Sequence, residues 1–269
     1  MKVITITNEK GGVGKSSVSV QLAAGLAIRG YKVLLIDSDP QGHSTVALDF
    51  KKEPGLYELL VRDAAFKDVL RLVEPEKYTA PSQPSQGRLF LVPSNIETRV
   101  IPMMISDALK FQKKLTQLKD IIDIVVIDTA PTPSLLHASI YMASDYLVYP
   151  TTCEYLSFDG LVEALGHQQA AQPMREQYGL GKIKVIGVIP TMFRSSTVEH
   201  TENLNLLKKQ FGALVWKPIP QRTIWAEASS RQKTVFALAP ESKAAEDAWG
   251  IVERVMEVLN HESSTTNTG

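Results

Sequence analysis

Apolar runs rich in valine and isoleucine alternate with longer stretches of helical periodicity. The pattern predicts strands at 3–7, 32–37, 88–92, 124–127, 146–149 and 184–189. Helices are expected at 16–29, 55–73, 102–119, 135–143, 160–178 and 198–211, with a last one at 244–259. The strands are continuously apolar rather than alternating, as a parallel sheet covered on both faces requires. Strand–helix alternation implies βαβ units. The expected fold is therefore α/β: a doubly wound, mostly parallel sheet flanked by helices on both faces. Residues 79–87 (TAPSQPSQG) lack apolar anchors and read as a surface loop. Residues 261–269 read as a disordered tail. With no repeat and no linker, residues 1–260 are expected to form a single domain.

Composition narrows this picture. Of the 269 residues, 44% are hydrophobic and 22% charged, which is ordinary for a soluble globular protein. Cys153 stands alone, which excludes an internal disulfide and a thiolate-bridged cluster. The five histidines are scattered, with no pair at metal-ligand spacing. The chain opens on a strand-like run rather than a secretory leader, and no apolar run reaches the length of a bilayer, so a cytoplasmic setting is expected. Formal net charge is zero, but residues 182–233 carry nine basic residues against three acidic ones. Such asymmetry points either to a polyanion-binding face or to a solvated surface. The last predicted helix carries Glu246, Asp247, Glu253 and Glu257 against Arg254, so anionic lipid would repel it and no membrane partner is expected. Its apolar positions at helical spacing read as core.

The most specific chemistry lies at residues 10–17, Lys-Gly-Gly-Val-Gly-Lys-Ser-Ser, between a predicted strand and a predicted helix. That context suits a phosphate-binding loop. Gly11, Gly12 and Gly14 let backbone N–H groups converge on phosphate oxygens, and the helix beginning near Ser16 adds its positive dipole end. Lys15 is placed to reach the β- and γ-phosphates and Ser16 to ligate Mg²⁺; Val13 and Ser17 complete the loop. ATP and Mg²⁺ are therefore the expected cofactors. Asp128 ends an apolar strand on the same side of the sheet and suits a carboxylate acting on Mg²⁺. Its alternative is a strand-end turn aspartate. Asp37 and Asp39 flank Ser38 at the end of the second strand.

The loop departs from ordinary spacing, because Glu9 occupies the first glycine position and Lys10 precedes the glycine pair. In this form it resembles the deviant Walker A loop of the ParA/MinD ATPases. Residues 34–42 (LLIDSDPQG), 92–95 (VPSN), 124–131 (IVVIDTAP), 150–161 (PTTCEYLSFDGL) and 191–193 (TMF) are similar to the ParA branch. The resemblance spans residues 3 to about 258. It implies a slow, partner-stimulated ATPase that forms a homodimer with ATP, with Lys10 crossing to the partner's nucleotide. It further implies that Asp39 positions the attacking water, that Asp37 joins the magnesium shell, and that Met192 and Pro220 lie near adenine. Residues 40–42 and 129–131 would be the two switch segments. Non-specific DNA and a ParB-like adaptor are the implied partners, and the implied location is nucleoid-associated. On the basic stretch the candidate DNA contacts are Arg194, Lys208, Lys209, Arg222, Arg231 and Lys233. Here the sequence departs from the family, with Ser195 and Ser196 after Arg194, and Ile224 at an expected basic position. A positioning ATPase for a protein cargo, such as a carboxysome or chemoreceptor array, is the alternative. A metabolic P-loop enzyme is a third reading, but acceptor-binding elements for a ligase are not evident. The three tryptophans read as packing residues, Trp225 alternatively as flanking a dimer or DNA surface.

Overall fold

The computed structural model describes residues 1–154 and 157–266. Tyr155 and Leu156 of the motif at 150–161 lie outside the described residues, as do positions 267–269 of the expected tail. Seven strands form one sheet: β1 (Lys2–Ile6), β2 (Lys32–Asp37), β3 (Arg71–Leu72), β4 (Arg88–Val92), β5 (Ile124–Asp128), β6 (Tyr146–Thr152) and β7 (Lys184–Thr191). Their order is β3-β4-β2-β5-β1-β6-β7. All neighbours are parallel except the edge strand β3, which runs antiparallel to β4.

Side-chain alternation along each strand divides the interior. Ile4, Ile6, Val33, Leu35 and Val126 point to one face, where the Lys15–Ile28 and Lys243–Thr266 helices cover them. Val3, Leu34, Ile36, Val125 and Ile127 point to the other, under the Lys110–Thr116 and Leu135–Ala143 helices. A third cluster joins Leu147, Tyr149 and Val188 to the Ser157–Gln177 and Val198–Phe211 helices. Both faces are therefore dry, and β5 and β6 are buried at every position.

Three predicted elements take a different form. The helix expected at 55–73 is two short helices, Leu56–Leu60 and Phe66–Val69, followed by β3. Asp63 between them holds φ at +58°, which ends helical continuity, and Arg71 and Leu72 pair with Leu91 and Phe90. The helix expected at 102–119 is likewise split, into Ile101–Met104 and Lys110–Thr116. The last helix continues to Thr266 rather than ending near 259. Glu262 explains this extension: its carboxylate is bonded by the Tyr146 hydroxyl and the Lys184 ammonium, with Lys2 at 3.5 Å. Among the described residues no helix is long and apolar enough to cross a membrane.

Candidate nucleotide-binding site

The carboxyl ends of β1, β2 and β5 lie side by side, with Ile6 and Asp37 each in register with Asp128. Ligands in open α/β sheets bind outside these strand ends. Asn8 is buried where β1 leaves the sheet. Its amide donates to the Pro150 carbonyl (2.8 Å), and its Oδ1 accepts from the Lys10 N–H (2.9 Å), which ties the entrance of the loop to β6. The far side is held by Thr191, whose hydroxyl donates to the Val13 carbonyl (2.8 Å). Between these anchors Gly12 and Gly14 adopt φ of +74° and +85°, a region that favours glycine. A Cβ on Gly11 or Gly12 would have no protein atom within 4 Å, so the loop faces open space. The Lys15–Ile28 helix starts there with no side-chain cap and no acidic residue in its first turn. Its leading N–H groups and positive dipole end are thus available to an anion.

Lys15 is buried and donates from Nζ to the Lys10 carbonyl (2.9 Å). Burial lowers its pKa, while the charges of Asp128 and Asp39 act to keep it protonated. The loop lines a cleft of about 480 Å³ together with Ser16, Ser17, Asp39, Pro131 and Met192. Asp128 accepts from the Ser16 hydroxyl and from Ser44 Oγ (2.7 Å), with Ser19 Oγ at 3.2 Å. Asp37 is fully buried beside it. Its Oδ2 accepts from the Thr45 N–H (2.8 Å) and hydroxyl (2.7 Å), and its Oδ1 from the Asp39 N–H (3.2 Å). Asp37 therefore clamps the segment from Asp39 to the short helix His43–Ala47. Burial raises the pKa of both carboxyls, and the charge of Asp128 raises that of Asp37 further. Paired buried carboxylates next to serine hydroxyls are hard oxygen donors whose repulsion a small divalent cation would relieve. No cluster of three His, Cys, Asp or Glu forms a metal site among the described residues. Magnesium that shares its coordination with phosphate needs none.

Asp39 is nearly buried and faces this cleft. Its Oδ1 accepts from the Gln41 N–H (2.9 Å), and the turn closes through Gly42, with φ at +65°. Asp39 also lines an adjoining cleft with His137, whose Nε2–H donates to the Ala130 carbonyl (2.9 Å) while Nδ1 lies 3.1 Å from Ser134 Oγ. Lys10 does not line the main cleft, and its Nζ pairs with Glu154 (3.2 Å).

The matches to known proteins agree with this geometry. The AAA domain family model matches residues 1–176. Sporulation initiation inhibitor protein Soj of Bacillus subtilis is 33% identical, with 91% of this chain and 94% of that protein covered. The chromosome-partitioning ATPase Soj of Thermus thermophilus is 31% identical, with 94% of each covered. The chain belongs to the Soj/ParA family of ATPases. The fold is shared with an ATP complex of McdA from Cyanothece, with a TM-score of 0.78, 22% identity, and 95% and 96% of the two chains covered. The P-loop NTPase fold read from the sequence is thus the observed one.

Within this Soj/ParA chain the expected site residues fall into two groups. Lys10 to Ser17, Asp37, Asp39 and Asp128 converge on the strand ends. Met192 lines the main cleft, and with Pro220 a second cleft of about 350 Å³ that also holds Gly14 and Ser17. The basic residues do not form one uniform set. Lys208 and Lys209 are exposed on the Val198–Phe211 helix. Arg231 pairs with Glu227 (2.8 Å), and Arg222 pairs with Asp247 (2.9 Å). Arg194 lies 3.5 Å from His200, and Lys233 lines the main cleft. The sequence does not single out Asn8, Ser44 or Thr45; Glu154 enters only within the motif at 150–161, and His137 reads as a structural or surface histidine. Asn8, Ser44 and Glu154 act through contacts distant along the chain, whereas His137 bonds Ser134 and Ala130 nearby and Thr45 reaches back to Asp37.

Proposed function

We propose that this ATPase is a nucleotide-gated dimerisation switch that partitions DNA. The glycine loop, Lys15 and the helix N-terminus would hold the phosphates of ATP, with Ser16 and Asp128 toward Mg²⁺ and Asp37 fixing the segment behind it. Bound magnesium neutralises phosphate charge and supplies electrophilic assistance to phosphoryl transfer. Asp39, held by Gln41 at the cleft wall, is suited to orient a water. Gln41 and Pro131 line the cleft on two loops, which would carry nucleotide state to the surface.

The observation that carries this reading is the position of Lys10. A second lysine stands at the loop but not in its own cradle, with its ammonium on Glu154 (3.2 Å). A cation so placed can serve the nucleotide of a second copy, which makes pairing depend on that nucleotide. The paired form would bind DNA through phosphate contacts alone, with Lys208 and Lys209 the most accessible candidates, and a ParB-like adaptor would stimulate hydrolysis and release. The same engine would move a protein cargo if its adaptor bound one.

Two measurements test this. Lys15→Ala is expected to abolish ATP binding by calorimetry; retained tight binding contradicts the site. Anisotropy of a labelled random duplex should rise with Mg-ATP and not with Mg-ADP. From 50 to 200 mM salt the affinity should fall by an order of magnitude or more, with a slope of about 0.9 per phosphate contact. A shift independent of nucleotide, or none at all, contradicts the DNA-partition reading.

A further inference from the structure

Trp225 sits where packing alone does not account for it. The residue belongs to the Thr223–Ser230 helix and, like Ala47 and Phe50, is partly buried against the core. Its indole N–H is buried and has no hydrogen-bond partner. An unmet buried donor is costly, and phenylalanine or leucine would fill the same space without it. The ring lines both the phosphate-loop cleft and the adjoining cleft formed by Gly14, Ser17, Met192, Ile219 and Pro220. That second cleft is mostly apolar and opens directly beside the start of the phosphate-binding helix. Such an apolar slot beside the loop suits the base of a nucleotide whose phosphates lie on the loop. Met192 holds φ at +52° there, a conformation an unbranched residue adopts only under local constraint.

We propose that Trp225 is the base-stacking residue of this ATPase, its indole face packing on the purine ring of the bound nucleotide. The inference rests on the nucleotide reading of the loop. Aromatic stacking engages the π-face of a base and is indifferent to its hydrogen-bonding edge. Trp225 therefore contributes affinity for a purine nucleotide rather than discrimination between purines. Packing against the core already fixes the ring, so little freedom is lost when the base arrives. The other two tryptophans are committed elsewhere. Trp216 is buried with its N–H on the Ile186 carbonyl (3.1 Å), and Trp249 lies against Phe236.

The test uses intrinsic emission and calorimetry on the full chain with Mg²⁺, comparing ATP with inorganic tripolyphosphate, which has no base. ATP should change tryptophan emission in the wild type, in Trp216→Phe and in Trp249→Phe, but not in Trp225→Phe. Trp225→Leu should weaken ATP binding about tenfold and leave tripolyphosphate binding unchanged. An ATP-dependent emission change that persists in Trp225→Phe overturns the assignment. So does Trp225→Leu binding ATP as tightly as the wild type, or losing tripolyphosphate to the same degree. If Trp225→Leu fails to fold, the conservative Trp225→Phe still decides the question through emission. Wild-type protein that bound neither compound would overturn the nucleotide reading and this assignment together.

Discussion

Asp37 and Asp128 illustrate how much one residue's role depends on its surroundings. Both end neighbouring strands, yet Asp37 spends its oxygens on Thr45 and Asp39, whereas Asp128 receives Ser16 and Ser44 at the edge of the cleft. The motif residues from Lys10 to Ser17 were legible because glycines, a lysine and a hydroxyl at fixed spacing have few other uses after a strand. Thr45 and Asn8 were not, because their partners lie on strands that only the fold brings near, and Trp225 read as packing or as flanking a dimer or DNA surface rather than as lining a cleft. His137 offers a pH test at this scale. Burial lowers its pKa, and its neutral ring bonds the Ala130 carbonyl. The folded state thus binds fewer protons than the unfolded chain. Stability is full above the unfolded value of about 6.5 and is lost as pH falls through it toward the lower folded value. Wild-type melting temperature should therefore drop more between pH 8 and pH 5.5 than that of His137→Gln. Equal drops in the two proteins contradict the assignment.

At the scale of elements, the parallel strands were readable because each is apolar throughout and bounded by turn residues. Residues 55–73 were misread for a physical reason. Leu56, Leu59, Leu60, Phe66, Val69 and Leu72 keep a helix-like spacing, while the positive φ of Asp63 and the pairing of Arg71 and Leu72 with β4 are tertiary effects. The His43–Ala47 helix was missed because five residues carry too little periodicity. Gly25 sits mid-helix because the last helix crosses close by. A Cβ there would stand 2.4 Å from Val252 Cγ2. Gly25→Ala should therefore destabilise by about 1–2 kcal/mol, the overpacking cost exceeding the gain in helix propensity. Adding Val252→Ala should remove the clash, so urea melts of the pair should be less than additive. Simple additivity would place the strain elsewhere.

For the whole molecule, the sheet gathers the phosphate loop, both carboxylates and Asp39 at its strand ends, and in the proposed switch Lys10 would turn that side toward a second copy. Lys10 is engaged by Glu154 (3.2 Å), so the proposed pairing would exchange one anionic partner for another. A switch of the proposed kind would close when γ-phosphate is present and open when it is lost. The most direct test is the solution mass of Asp39→Ala, which should bind ATP without consuming it, measured by light scattering with Mg-ATP and with Mg-ADP. The account predicts a dimer with ATP, a monomer with ADP, and a monomer in both when Lys10→Ala is added. The same mass for Asp39→Ala in the two nucleotides would contradict it.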